Sequence, residues 1–117
     1  MHSTVNLYRW SELTLEKVTE MMSRKILSGE HGMLAQTYLK KGMLVPLHSH
    51  ESEQITYVLQ GSLRFLVSDE DIIVREGEVI CIPSWSEHQS EALEDTFELD
   101  MFSPVRKDWV KKSDSIY

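Results

Sequence analysis

From residue 33 onward, apolar positions alternate with polar ones in short runs that turn residues cut off. Met33–Leu39 is one run, closed by Lys40-Lys41-Gly42, and Ile55–Leu59 is another, closed by Gln60-Gly61. Leu63–Val67 follows, with Leu63, Phe65 and Val67 on one face by the period of two. Residues 68–71 read as a turn, and Ile72–Val74 as a strand closed by Glu76-Gly77-Glu78. Glu78–Ile82 is a strand stopped by Pro83, and Thr96–Phe102 a strand stopped by Pro104. Short strands at spacings of about 8–12 residues predict an all-β sandwich or barrel. Residues 11–27 fit two periods: Leu15, Val18, Met22 and Ile26 make a helical stripe. Val18, Met22 and Ile26 also fit alternation, with Glu20 and Arg24 as breaks. Residues 107–117 are polar, so the termini are expected to be short helices or irregular.

Composition narrows the function classes. The chain has 117 residues, 41% hydrophobic and 26% charged, without repeats, low-complexity tracts or a linker, which predicts a single globular domain, 1–117. Twelve basic and 19 acidic residues leave a net charge of −7. That balance argues against a nucleic-acid binder, which needs a basic stripe, and against a polybasic membrane anchor. No apolar run approaches the roughly 20 residues of a membrane-spanning helix. Met1–Trp10 lacks the charged start and apolar core of a secretory signal. The lone cysteine, Cys81, allows no internal disulfide and suggests a reducing, cytoplasmic setting. Within Val79–Ile82 it is expected to be a buried structural thiol.

The candidate chemistry lies in Gly42-Met-Leu-Val-Pro-Leu-His48-Ser-His50-Glu-Ser-Glu-Gln54. His48 and His50 are two apart, so an extended strand would point both to one face, and Gln54 shares that parity. Imidazole is the commonest neutral nitrogen ligand for transition metals, so the pair is a plausible half-site. On its own an H-x-H pair is more often surface polar sequence. A third histidine in Pro83-Ser-Trp-Ser-Glu-His88 strengthens the metal reading, whereas His2 and His31 have no such setting and read as solvated.

These residues resemble the two motifs of the cupin superfamily. The first, G-x5-H-x-H-x3-E-x6-G, is matched by Gly42, His48, His50, Gln54 and Gly61. The second, G-x5-P-x-G-x2-H-x3-N, is matched by Gly77, Pro83 and His88, with Trp85 in the glycine slot and Ala92 in the asparagine slot. The resemblance covers the central half of the chain. It implies an RmlC-like jelly-roll β-barrel with its core at about 30–105. It further implies one divalent transition metal (Ni, Zn, Fe or Mn) held by His48, His50, Gln54 and His88, and a homodimer. In such a dimer the apolar Leu, Met and Trp residues of the N-terminal third would cover a sheet edge. A neutral Gln in place of Glu would leave the metal a net +2 centre, a stronger Lewis acid and anion receptor. The alternative is that Gln54 marks a decayed site.

The last strand carries a second constellation. Phe97, Leu99 and Met101 share one face; Glu98, Asp100 and Phe102 share the other. Carboxylates on such a face usually meet solvent, but in a barrel they would face the metal cavity, where a buried carboxylate is a candidate acid or base. Arg106 by itself reads as a solvated surface charge. The string Leu99-Asp100-Met-Phe102-Ser-Pro-Val-Arg106-Lys-Asp-Trp109 is similar to the C-terminal signature of the KdgF-type pectin-degradation cupins. The likeness runs from about Asn6 to Trp109. It implies a small, anionic, sugar-like substrate, a 4,5-unsaturated monouronate from pectin or alginate, opened to a linear 4-deoxy-5-keto sugar acid. Asp100 and Arg106 would be catalytic, Phe102 and Arg106 would touch substrate, and Trp85 would narrow the mouth. Departures are local: Glu51-Ser52 stands where Pro-His is common, and Trp85 replaces a small residue. Two other functions remain open on the same residues: an Fe(II) oxygenase or isomerase acting on another small substrate, and a non-enzymatic ligand-binding module.

Overall fold

The computed structural model describes residues 4–111 and 117. Among these, ten strands form two antiparallel sheets that face each other across a common interior. The six-stranded sheet has the order β1-β2-β3-β10-β5-β8, from β1 (Glu16–Thr19), β2 (Met22–Ser28), β3 (Met33–Leu39), β10 (Thr96–Ser103), β5 (Glu53–Gln60) and β8 (Val79–Ile82). The four-stranded sheet has the order β4-β9-β6-β7, from β4 (Leu44–His48), β9 (His88–Ala92), β6 (Ser62–Val67) and β7 (Glu70–Arg75). The fold is all-β, as the spacing of strands and turns predicts, and its two facing sheets make the jelly-roll barrel that the cupin resemblance implies. A short 3-10 turn, Trp10–Glu12, precedes β1, and a one-turn helix, α1 (Lys107–Lys111), follows β10. His2 lies outside the described residues.

The three motif glycines sit where the chain reverses, all at positive φ: Gly42 (90°), Gly61 (94°) and Gly77 (83°). Gly61 is doubly constrained, because a Cβ there would lie 2.5 Å from the Asp95 carbonyl oxygen and from Thr96 Oγ1. No other residue joins β5 to β6 at that spot without moving backbone.

Period-two alternation fills the interior. Met22, Leu39, Met43, Val58, Leu63, Phe65, Val74, Ile80, Ile82 and Ala92 form one apolar cluster. Met33, Ala35, Phe102 and Trp109 form a smaller second one.

Four expectations need correction or completion. Residues 11–27 are not helical beyond the 3-10 turn; they supply β1 and β2, and Arg24 does not break the alternation but follows Met22 on its buried face. Its charge is met there by Glu16 Oε1 at 3.1 Å. Cys81 is exposed, not buried. β8 is the outer strand of its sheet, Ile80 and Ile82 take the inner face, and period two sends Cys81 outward. Arg106 is not a solvated surface charge but is buried, 4% exposed. β4 and β9 were not expected as strands, since Pro46 interrupts the apolar run of β4 and β9 reads His-Gln-Ser-Glu-Ala.

Candidate metal centre

The histidines converge, though not by the strand parity that relates His48 to His50. β4 ends at His48; His50 lies in the bend beyond it, and Gln54 is on β5 in the opposite sheet. His88 opens β9 and is the cross-strand partner of His48. The chain's passage from one sheet to the other thus gathers these side chains. The ring centroids of His48 and His88 are 4.3 Å apart, those of His50 and His88 5.0 Å, and those of His48 and His50 5.5 Å. One ring nitrogen from each histidine falls in a group with all separations within 4.8 Å.

Hydrogen bonding decides which nitrogen faces inward. Nδ1 of His48 donates to the Pro46 carbonyl at 2.7 Å, Nδ1 of His50 to the Ser52 carbonyl at 2.9 Å, and Nδ1 of His88 to the Ser86 carbonyl at 2.8 Å. Carbonyls accept only, so each Nδ1 carries the proton and each Nε2 presents a lone pair, the arrangement of metal-bound histidines. Nε2 of His88 is buried without a partner. Burial lowers the pKa of all three imidazoles, and takes His88 down to about 4, so the neutral, ligating form prevails.

Gln54 adds a fourth donor atom. Its Nε2 donates to Thr56 Oγ1 at 2.9 Å, and that hydroxyl donates to Asp100 Oδ1 at 2.6 Å. The chain of donors leaves Gln54 Oε1 pointing at His50 Nε2, 3.1 Å away. Two acceptors face each other at that distance, a contact that a cation shared between them makes favourable. The donor set therefore fits a divalent ion with nitrogen and oxygen ligands.

The carboxyl side of the site lies on β10, the central strand between β3 and β5. Glu98, Asp100 and Phe102 turn inward and are buried, whereas Phe97, Leu99 and Met101 are half-buried on the outer face. Asp100 accepts from Thr56 and, at 3.1 Å, from Thr37 Oγ1. Burial raises the Asp100 carboxyl to about 6, against the lowering effect of these hydroxyls and of Arg106. Phe102 lies edge-on to His50 at 5.7 Å and to Trp109 at 4.9 Å. A cavity of about 30 Å³, lined by His48, Gln54, His88, Glu98, Asp100 and Trp109 among others, joins the two sides. Three buried polar atoms without partners border it: His88 Nε2, Glu98 Oε2 and Trp109 Nε1. Natural interiors rarely leave such atoms unmatched, so their gathering in one cavity marks a ligand site.

Arg106 and Trp85 stand apart from that cavity. Arg106 borders His50 in a surface groove of about 150 Å³. Its fork grips Asp108 at 2.7 and 3.1 Å, and Nη1 donates to the Tyr117 carbonyl at 3.1 Å. Trp85 is 65% exposed and lines a different groove with Leu47, Asp69 and Glu87. Its φ is 65°, which explains the glycine slot in the motif: the backbone there is left-handed, and its N–H donates to the His50 carbonyl at 2.8 Å. His31 is exposed beside Glu30. The participants the sequence reading did not assign are Thr37 and Thr56, which hold Asp100, and Tyr117, which lines the cavity. The threonines could have been found as the inward positions of β3 and β5, in step with Ala35 and Gln54.

The family described as Cupin domain matches residues 35–104. No curated protein matches the chain. Among solved structures, an RmlC-like cupin from Shewanella frigidimarina NCIMB 400 is 21% identical, with a TM-score of 0.83, over 93% of this chain and 99% of that one. KdgF from Halomonas sp. is 28% identical, with a TM-score of 0.81, over 88% of this chain and 98% of that one. Bacillus subtilis oxalate decarboxylase, described with Mn(II) centres, is 25% identical, with a TM-score of 0.75, over 88% of this chain and 31% of that one. Among the described residues no helix is long and apolar enough to cross a membrane.

Proposed function

The chain belongs to the cupin family, and from that premise we propose that it is a metal-dependent enzyme that opens 4,5-unsaturated monouronates to linear 4-deoxy-5-keto uronates. The observation that carries the reading is the joining of two chemistries in one cavity. A nitrogen-and-oxygen donor set stands on one side and a buried carboxyl, with a pKa near that of a working base, on the other. The similarity to KdgF from Halomonas sp. supports the choice of substrate.

In this proposal His48, His50, Gln54 and His88 hold one divalent ion, of Ni, Zn, Fe or Mn. Bound there, the ion would supply Lewis acidity, polarising a substrate oxygen. The reaction is an isomerisation and needs no co-reactant. The C1 hydroxyl loses its proton as the C1–O5 bond breaks to give the aldehyde. The released enolate then becomes the C5 ketone as C4 gains a proton. Asp100 takes the first proton and returns one to C4. Its carboxylate is fixed for this by the Thr37 and Thr56 hydroxyls. Phe102 packs against the sugar and excludes water. Arg106 is the proposed anchor of the uronate carboxylate from the neighbouring groove beside His50, where its fork now holds Asp108, so this role requires substrate to reach past His50 from the cavity. Trp85 is the proposed rim contact. A sugar ring exceeds about 30 Å³, so binding requires the lining of this cavity to move apart.

All of residues 1–117 form one domain in this proposal. It works in the cytoplasm, where the single cysteine stays reduced. It acts as a homodimer, for which the exposed Leu7, Tyr8 and Leu15, which precede the outer strand β1 in the chain, are the support.

The test is the loss of the unsaturated-uronate chromophore with metal-loaded protein, measured against the spontaneous rate. Acceleration that chelation abolishes is expected. No acceleration by protein with its metal content verified would reject the reaction for that substrate. Oxygen consumption in its place would mark an oxygenase.

A further inference from the structure

Glu98 has no role in the reaction as drawn, yet it is a buried acidic side chain. Period two puts it on the inner face of β10 beside Asp100, with 7% and 3% of the two residues exposed. The two carboxyls are in hydrogen-bond contact. Asp100 receives two hydroxyl donors, one on each oxygen. Glu98 receives none of that kind, and its Oε2 is buried without a partner, facing the cavity.

Donor accounting places the protons. The inner faces of β3 and β5 next to the pair bring only uncharged groups, Thr37, Thr56 and Gln54. β2 brings Met22 to the cavity, while Arg24 stands over Trp109 and pairs with Glu16. Across the cavity are His48 on β4 and His88 on β9, both held neutral by burial. Among the described residues, Arg106 is the cation whose field reaches Asp100, and it favours the ionised form there. Two touching buried carboxyls without a cation between them cannot both ionise. The proton therefore belongs on the member with fewer donors.

We propose that Glu98 and Asp100 form a one-proton carboxyl pair, in which Glu98 keeps the proton, donates it as a hydrogen bond to Asp100, and so positions Asp100 as a pure acceptor facing the cavity. Glu98 is a positioning residue, since it acts through Asp100; its catalytic consequence rests on the reading of Asp100 as the proton shuttle. The pair itself is independent of that reading. Burial pushes the Glu98 carboxyl well above its usual range, in agreement with the donor count.

Infrared spectroscopy at neutral pH tests the pair without any substrate, in metal-loaded and metal-free protein. A protonated carboxylic acid absorbs apart from carboxylates, and carboxyl groups in water are carboxylates at that pH. One protonated-carboxyl band is expected. It should vanish in Glu98→Gln and persist in Asp100→Asn. Absence of the band from the natural chain overturns the proposal, as does a band that survives Glu98→Gln and vanishes in Asp100→Asn. The natural chain decides the first point even if a variant does not fold. If uronate turnover is present, Glu98→Leu lowers kcat by about 10–100-fold with little change in KM. It also moves the acidic limb of the kcat profile upward, because Asp100 loses a donor. Glu98→Gln, which keeps a donor, brings the limb back. An unmoved limb in Glu98→Leu would overturn the positioning role, even with the infrared band in place. A chain that turns over no uronate but shows the band as expected retains the pair and loses only the reaction.

Discussion

On β5, Gln54, Thr56 and Val58 all turn inward and all are buried, yet the first two belong to the polar half of the barrel, with the candidate metal centre, and the third to its apolar half. The two halves obey one alternation and hold opposite chemistry. In the apolar half, Val58, Leu63, Val74, Ile80 and Ile82 pack against one another. Burial there stabilises the fold by about 25 cal/mol for each Å² of apolar surface removed from water. In the polar half, many of the same inward positions carry a group that must find a partner. Thr37, Thr56 and Gln54 do so through a directed chain of hydrogen bonds, while His88, Glu98 and Trp109 keep unmatched atoms at the cavity. Jelly-roll packing in one half thus supplies the rigidity with which the other tolerates its unmet polar atoms.

That contrast can be broken from either side. His88→Ala is the most severe change to the polar half. It should leave the purified protein without metal by elemental analysis, and without turnover, while the fold persists by circular dichroism. Asp100→Asn separates chemistry from binding, with turnover falling about 10²–10⁴-fold and metal content unchanged. Retained turnover would remove Asp100 from the mechanism. In the apolar half, Leu63→Ala should cost about 3 kcal/mol in urea unfolding and leave metal affinity intact.

The pH dependence sharpens the comparison further. The folded-state pKa of Asp100 is raised from 3.8 to about 6. A raised carboxyl favours the folded state below pH 3.8, and that contribution is lost as pH rises through about 6. Relative to the natural chain, Asp100→Asn should therefore gain stability between about pH 4 and pH 6, as paired denaturation curves would reveal. Loss of turnover as pH falls through about 6 is the activity counterpart. The smallest effect is expected at the rim: Trp85→Gly relieves a left-handed backbone and should stabilise by about 1 kcal/mol or less. A loss of stability there would mean that the exposed indole contributes more packing than its 65% exposure implies.

Most of the site was legible because its residues are chemically distinctive and the motif spacing is set by turns. Gly42, Gly61 and Gly77 mark reversals that only a positive φ allows, and His48, His50 and His88 follow at intervals that the barrel dictates. The assignment of His50 and Gln54 to one ligand group came from the motif. Strand parity pointed the same way for a different reason, since the two residues belong to opposite sides of a sheet-to-sheet crossing. Residues 11–27 were not legible as strands because Arg24 occupies an inward position, and a buried guanidinium beside Trp109 and Glu16 has no hydrophobic signature.

The sequence by itself determined the period of two, the places where the chain turns and the identity of the candidate ligand side chains. Alternation says which residues share a face, because successive Cβ atoms point to opposite sides of a strand. It does not say which face is inside. The tertiary structure decided that β10 buries Glu98 and Asp100 and leaves Phe97, Leu99 and Met101 on its outer side, that Cys81 looks outward, and that Arg106 is buried against Asp108. Those outcomes depend on which strands lie on either side and which sheet lies opposite, and contacts between residues far apart in the chain set both.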